Sequence, residues 1–114
     1  MNIEILYQRL DITLQQLQVF CQNAQIIELA LFGSILRDDF GSESDIDILV
    51  TFAPNYKISL LDFVGLEYQL QDLFNRKVDL VSKKAVEQDR NWLRRQEILN
   101  HYQVIYESRS LLSA

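Results

Sequence analysis

Cysteine, proline and histidine each occur only once in the 114 residues, and glycine occurs three times. A single cysteine excludes a disulfide framework and a cysteine-based zinc site within one chain. No apolar run approaches about 18 residues, which excludes a membrane-spanning helix. The N-terminal segment carries charges inside its apolar pattern and lacks the apolar stretch of a signal peptide. These absences predict a cytoplasmic protein.

The composition predicts one folded domain over residues 1–114. Hydrophobic residues make up 48% of the chain and charged residues 24%, a balance that disordered chains do not have. This length builds one hydrophobic core but leaves no room for a separate substrate-binding domain. The few glycine and proline residues predict dense secondary structure, with breaks near Gly33, Gly41 and Pro54.

Charge is distributed unevenly along the chain. The net charge is −5, yet residues 1–75 hold eleven acids and three bases, whereas residues 76–114 hold five acids and eight bases. The negative total argues against general nucleic-acid binding, so none is expected. Five of the acids fall within ten positions: Asp38, Asp39, Glu43, Asp45 and Asp47.

Hydrophobic periodicity predicts alternating helices and strands. The predicted helices cover residues 3–22, 59–75 and 85–100, and the predicted strands cover 26–32, 45–52 and 77–82. Residues 102–106 form either a fourth strand or the end of the last helix. The short link between 32 and 45 predicts antiparallel pairing of the first two strands, because parallel neighbours need a longer crossover. We therefore expect an α/β fold with a small mixed β-sheet flanked by α-helices.

Asp45 and Asp47 form an Asp-x-Asp pair at the start of the second predicted strand. Residues i and i+2 of a strand point to the same face, so the two carboxylates lie side by side and repel each other. A Mg²⁺ ion, which prefers oxygen ligands, would remove this repulsion. The alternative is a polar strand start that faces solvent. An EF-hand is excluded, because Leu49 and Val50 occupy the positions that need an oxygen ligand and a glycine.

Two further features accompany this pair. Gly33 and Ser34 follow an apolar strand, where glycine allows a tight turn and a close approach to a phosphate; the alternative is a simple turn. Asp79 lies inside the apolar strand Lys77–Val81, where a charge is costly unless it is paired. Asp79 either joins the other acids in holding two metal ions or forms a salt bridge with Arg76 or Lys77.

The combination of these motifs resembles the polymerase-β-like nucleotidyltransferase superfamily. Gly33-Ser34 is followed after ten residues by Asp45-x-Asp47 and later by Asp79, and the string LFGSILRDDFGSESDIDILV is most similar to minimal nucleotidyltransferase (MNT) domains. The resemblance covers a motif core of about residues 25–107. Asn75 stands where related sequences often have glycine, and asparagine also tolerates a left-handed turn.

The resemblance implies a role for each matching residue. Asp45, Asp47 and Asp79 would be the catalytic acids and would bind Mg²⁺, with two ions expected and ATP as the substrate. The residues implied to bind the nucleotide are Gly33, Ser34 and Arg37. Arg37 has an alternative as the surface partner of Asp38 or Asp39.

The resemblance also implies a partner, because minimal domains of this group commonly pair with HEPN-domain ribonuclease toxins. The expected function is an antitoxin that transfers AMP from ATP to a tyrosine hydroxyl of the toxin and so neutralises it. Two alternatives stay open. One alternative is a non-catalytic antitoxin that acts by stoichiometric binding, and the other is an enzyme that transfers the nucleotide to a small molecule. The missing acceptor domain favours a protein acceptor.

Other distinctive residues carry weaker signals. His101 is expected at the surface or at a helix end. Cys21 belongs to the apolar stripe of the first predicted helix and is expected in the protein core, and Trp92 is expected in the core or in an interface. A run of arginines is expected on one face of the last helix, either solvated or in contact with phosphates or an acidic partner: Arg90, Arg94 and Arg95.

Overall fold

The computed structural model describes residues 2–108. These residues form five α-helices, four strands and one 3₁₀ turn. In chain order they are α1 (Ile3–Leu10), α2 (Leu14–Asn23), β1 (Ile26–Phe32), the 3₁₀ turn (Gly33–Leu36), β2 (Ile46–Phe52), α3 (Leu60–Phe74), β3 (Val78–Ser82), α4 (Lys83–Glu87), α5 (Trp92–Asn100) and β4 (Tyr102–Glu107). None of the helices within this range is long and apolar enough to cross a membrane.

The four strands form one mixed sheet in the order β3-β2-β1-β4. β1 and β2 are antiparallel, as the short link between them predicted. β2 and β3 are parallel and are joined by the crossover helix α3. The ambiguous segment near the C-terminus is the strand β4, which pairs antiparallel with β1. The predicted α/β fold with a small mixed sheet is confirmed.

Helices cover both faces of this sheet, because alternate residues of the central strands are apolar on either side. Ile46, Ile48 and Val50 of β2 are fully buried in the larger core, which contains residues of α1, α2 and α3. Leu49 points to the opposite face and packs with Ala30 and with residues of α4 and α5. The central strands are therefore packed on both faces, and the sheet positions the chain segments at their ends.

The predicted helix over 3–22 was wrong in one respect, because two helices occupy this segment. Asp11 adopts a left-handed conformation with φ of 56° and ends α1. Thr13 then begins α2 with a capping box, in which its side chain accepts from the Gln16 amide while the Gln16 side chain accepts from the Thr13 amide. The apolar stripe continues through the break, and Cys21 is buried as expected.

The predicted helix over 85–100 is also two helices, α4 and α5. Ser82 caps α4 and Asn91 caps α5, each by accepting a backbone N–H with its side-chain oxygen. Arg90 therefore lies between the helices and does not share a helix face with Arg94. Trp92 is 58% exposed, so it is not a core residue. The tail after Ser108, including Arg109, lies outside the described residues.

The crossover helix α3 has defined ends that set the start of β3. Ser59 accepts a hydrogen bond from the Asp62 amide and begins the helix. Asn75 ends it in a left-handed conformation with φ of 53°, as its ability to replace glycine predicted. The chain reverses there and enters β3 beside the first residues of β2.

Candidate active site

Three acidic residues meet at the edge of the sheet where β2 and β3 both begin. Asp47 and Asp79 are register partners on these parallel strands, so they lie side by side on the same face. The strand β2 begins at Ile46, one residue later than predicted, so Asp45 immediately precedes it. Asp45 and Asp79 are exposed, whereas Asp47 is half-buried. The fold therefore brings the three predicted acids together.

The carboxyl group of Asp47 has a raised pKa. Partial burial is the largest cause, and the negative charges of Asp79 and Asp45 raise the pKa further, while the positive charge of Arg37 lowers it. Ionising all three carboxylates at this edge thus costs free energy. A cation placed between them would lower that cost.

Gly33 packs directly against this acidic edge, where any side chain would clash with Asp47. Its φ is +76°, a left-handed conformation that side chains rarely adopt. A Cβ atom added at Gly33 would lie 2.2 Å from Oδ2 of Asp47 and 3.1 Å from its Cγ. Since Phe32 is the register partner of Asp47, the turn begins where β1 meets the acid. Gly33 therefore lets the Gly33-Ser34 turn lie directly on the carboxylate.

A loop after the turn is held by two arginines that the sequence did not identify as site residues. The Arg76 guanidinium stacks on the Phe40 ring, with Cζ 4.3 Å from the ring centroid, and it donates to the carbonyls of Gly41 and, at 2.9 Å, of Ser44. This positions the backbone just before Asp45. Within the described range, no ion pair joins Asp79 to Arg76 or to Lys77, so the alternative salt bridge of Asp79 is not formed.

Arg9 of α1 holds the other end of the same segment. Its Nη1 donates to the carbonyls of Ile35 and Arg37, each at 2.7 Å, and its Cζ lies 5.4 Å from the centroid of the Phe40 ring. These contacts fix the end of the 3₁₀ turn. Arg9 and Arg76 together fix the chain on both sides of the loop, so Phe40 contacts both cations.

Arg37 lies at the end of the 3₁₀ turn and pairs with Asp39, with 3.2 Å between Nε and Oδ1. The surface pair that the sequence left open is therefore present. Both side chains are exposed, and an exposed pair contributes at most about 1 kcal/mol. The guanidinium can leave Asp39 at little cost to contact a ligand phosphate beside Gly33.

A cavity of about 750 Å³ opens beside the turn, between the 3₁₀ turn, α5 and the start of β4. Gly33 and Arg37 line one wall, and Arg94 and His101 line the opposite one. His101 is the C-cap of α5 and is exposed, as predicted. Sequence reasoning did not find this cavity, because it depends on how α5 packs.

The residues at this edge fit a Mg²⁺ ion bound together with a nucleotide. Three carboxylates supply only oxygen ligands, the type that Mg²⁺ prefers, and Asp45 and Asp79 are exposed to solvent. Within residues 2–108, no group of three or more acidic, histidine or cysteine side chains is arranged to hold an ion by itself. Mg²⁺ commonly takes one or two carboxylates and completes its shell with substrate phosphates and water.

Similarity to known proteins covers most of the chain. Residues 14–105 match the family of nucleotidyltransferase domains. A protein of Methanocaldococcus jannaschii that is provisionally named a protein adenylyltransferase is 40% identical over 78 residues, which cover 67% of this chain and 76% of that protein.

Solved structures share the fold. One that is provisionally described as a minimal nucleotidyltransferase aligns with a TM-score of 0.62 and 27% identity, over 90% of this chain and 95% of its own. A chain from a complex of a tri-AMPylated HEPN toxin with an MNT antitoxin of Shewanella oneidensis aligns with a TM-score of 0.53 and 16% identity, over 85% and 71% of the two chains. At that identity the second likeness concerns the fold alone. Because the family match and the relative both span most of the chain, the protein belongs to the nucleotidyltransferase domain family and is a minimal-type nucleotidyltransferase enzyme.

Proposed function

We propose that this enzyme is an antitoxin that transfers AMP from ATP to a tyrosine hydroxyl of a HEPN-domain ribonuclease toxin. One observation carries the proposal: the Gly33 turn lies on Asp47, and Asp47 is in register with Asp79. Phosphate-binding backbone and three carboxylates are thus within reach of one nucleotide. The names of the M. jannaschii relative and of the Shewanella complex support adenylyl transfer to a toxin.

The reaction that suits this arrangement is an in-line displacement at the α-phosphorus. The acceptor oxygen forms a bond to phosphorus, the bond to the bridging oxygen breaks, and pyrophosphate leaves. Asp79 is exposed on the outer strand of the site and would take the hydroxyl proton. Gly33 and Ser34 would contact the phosphates, and Arg37 would neutralise their charge.

Asp45, Asp47 and Asp79 are the residues that would hold Mg²⁺. Two ions held by these acids would neutralise the charge of the triphosphate and would lower the pKa of the attacking hydroxyl. The raised pKa of Asp47 supports this assignment, because a nearby cation stabilises the ionised carboxylate. Modified toxin would carry added phosphate at its active site, which excludes RNA by volume and by charge.

The test is the mass of the co-encoded toxin after incubation with this protein, ATP and Mg²⁺. We expect mass increments of whole AMP units, located on tyrosine. Asp47→Asn and Asp79→Asn should abolish them, whereas Glu87→Gln should not, because Glu87 is an exposed acid on α4, which follows the end of β3 opposite to Asp79.

Three results would contradict the proposal. Neutralisation without any mass increase would identify a stoichiometric binder, and modification of a small molecule instead of the toxin would change the acceptor class. Full transfer by Asp47→Asn would remove the acids from the mechanism.

A further inference from the structure

The cavity beside the turn lies on the opposite side of Gly33 from Asp79. In the sheet order β3-β2-β1-β4, Asp79 begins the outer strand β3, and Gly33 directly follows β1. The cavity extends from Gly33 toward Tyr102, the first residue of β4, which is the register partner of Phe32. Along this edge the order is therefore Asp79, Asp47, Gly33 and then the cavity.

This order sets the direction in which the leaving group departs. In an in-line displacement the attacking and leaving oxygens lie on opposite sides of the phosphorus. If the acceptor approaches on the Asp79 side, the pyrophosphate end of ATP points past Gly33 toward the cavity. At about 750 Å³ the cavity is within the usual range for small-molecule sites.

Arg94 is the free cation on the far wall of this cavity. Its side chain is exposed and makes no hydrogen bond or ion pair with any residue in the range 2–108. By contrast, the Arg95 guanidinium donates to the Asp89 carbonyl at 2.9 Å and is occupied. Arg94 is also in the first turn of α5, so the helix dipole adds to its attraction for an anion.

The cavity also contains one acid, Glu97, which lies one helical turn after Arg94. With Arg37 on the near wall, the lining has two arginines against this single carboxylate. An anion between the two walls is favoured, because guanidinium groups match phosphate oxygens in geometry as well as in charge. Phe32 and Leu93 make the remaining surface partly apolar.

We propose that Arg94 binds the β- and γ-phosphates of ATP, so that α5 forms a second wall of the polyphosphate site. The inference rests on the proposed function, since it takes the nucleotide to lie on the Gly33 turn. Arg94 acts on binding of ATP and release of pyrophosphate, and it does not contact the α-phosphorus.

The experiment compares the affinities of ATP and AMP by calorimetry in the presence of Mg²⁺, without any acceptor. Arg94→Gln should weaken ATP binding by about tenfold or more, the effect of losing one charged hydrogen bond, and leave AMP binding unchanged. Arg94→Lys should fall between, because lysine keeps the charge but not the two-pronged geometry. Arg90→Gln removes an exposed arginine that does not line the cavity and is the matched control.

The outcomes separate this inference from the proposed function. If the wild type transfers AMP while Arg94→Gln keeps full affinity for ATP, Arg94 is not a ligand. Equal losses for ATP and AMP would also overturn the inference, because they would place Arg94 at the nucleoside end or in the fold itself. A wild-type protein that neither prefers ATP over AMP nor transfers AMP would overturn both.

Discussion

Replacing Gly33 with alanine tests the contact on which the site is built. The added Cβ would lie 2.2 Å from Oδ2 of Asp47, and the φ of +76° would have to be kept by a residue that rarely adopts it. The nearest atom belongs to a carboxylate on the central strand β2, so the acid must move or the turn must open. Either response separates Asp47 from the Gly33-Ser34 backbone, which is proposed to bind phosphate.

The left-handed backbone of Gly33 sets the expected loss of stability, and the close contact with Asp47 sets the expected loss of activity. A left-handed conformation costs a non-glycine residue about 1–2 kcal/mol, so the free energy of unfolding should fall by that amount. Restoring a normal contact of roughly 3.5 Å requires a displacement of about 1 Å. Misplacement by about 1 Å can lower a catalysed rate by about a hundredfold. We therefore expect a large loss of activity in a protein that is still folded.

Urea unfolding and AMP transfer to the toxin measure the two effects separately. Gly65→Ala is the control: it lies within α3, a Cβ there meets nothing within 4 Å, and alanine should raise stability by about 0.5–1 kcal/mol with unchanged transfer. If Gly33→Ala transfers AMP at the wild-type rate, the close contact with Asp47 is not needed for catalysis. If it loses activity only in proportion to unfolding, the geometric argument fails.

Three further predictions concern residues other than Asp45, Asp47 and Asp79. Arg76→Met should lower the rate of AMP transfer about tenfold and the free energy of unfolding by about 1 kcal/mol, because the loop before Asp45 loses its two hydrogen bonds, and Arg76→Lys should restore only part of either loss. Urea unfolding and transfer rates equal to those of the wild type would refute this. Oγ1 of Thr51 is buried without a hydrogen-bond partner among the described residues, so Thr51→Val should leave thermal stability unchanged or raise it, and a fall of more than about 1 kcal/mol would show a missed partner. Burial raises the pKa of the Cys21 thiol to about 12, so a thiol reagent at pH 8 should label it only in urea, and rapid labelling of the folded protein would contradict its burial.

The strands and the acidic edge could be predicted because they depend on local patterns. Alternation in β2 identified Ile46, Ile48 and Val50 as one buried face, and the i, i+2 spacing placed Asp45 and Asp47 together. The break in the first helix was also readable, since Thr13 and Gln16 form a capping box. The continuous apolar stripe concealed it, because both helices bury the same kind of face.

The loop contacts and the cavity could not be predicted, because they join residues that are distant in the sequence. The sequence predicts for Arg76 only a pair with Asp79, three residues away, whereas Arg76 contacts Phe40 and two carbonyls more than 30 positions earlier. Arg9 reaches carbonyls 26 and 28 positions later. Such long-range contacts depend on how the helices pack, and the pattern of charges along the sequence does not predict that packing. The catalytic roles of the acids stay a prediction.

The position of Arg9 has a practical consequence for protein engineering. The family match begins at residue 14, so a version trimmed to that boundary would lack α1 entirely. It would leave the carbonyls of Ile35 and Arg37 without their donor, and it would remove the hydrogen bond of 2.7 Å from the Tyr7 hydroxyl to the Ile105 carbonyl. Purification tags and fusion partners on this protein are therefore better placed so that the first helix remains intact.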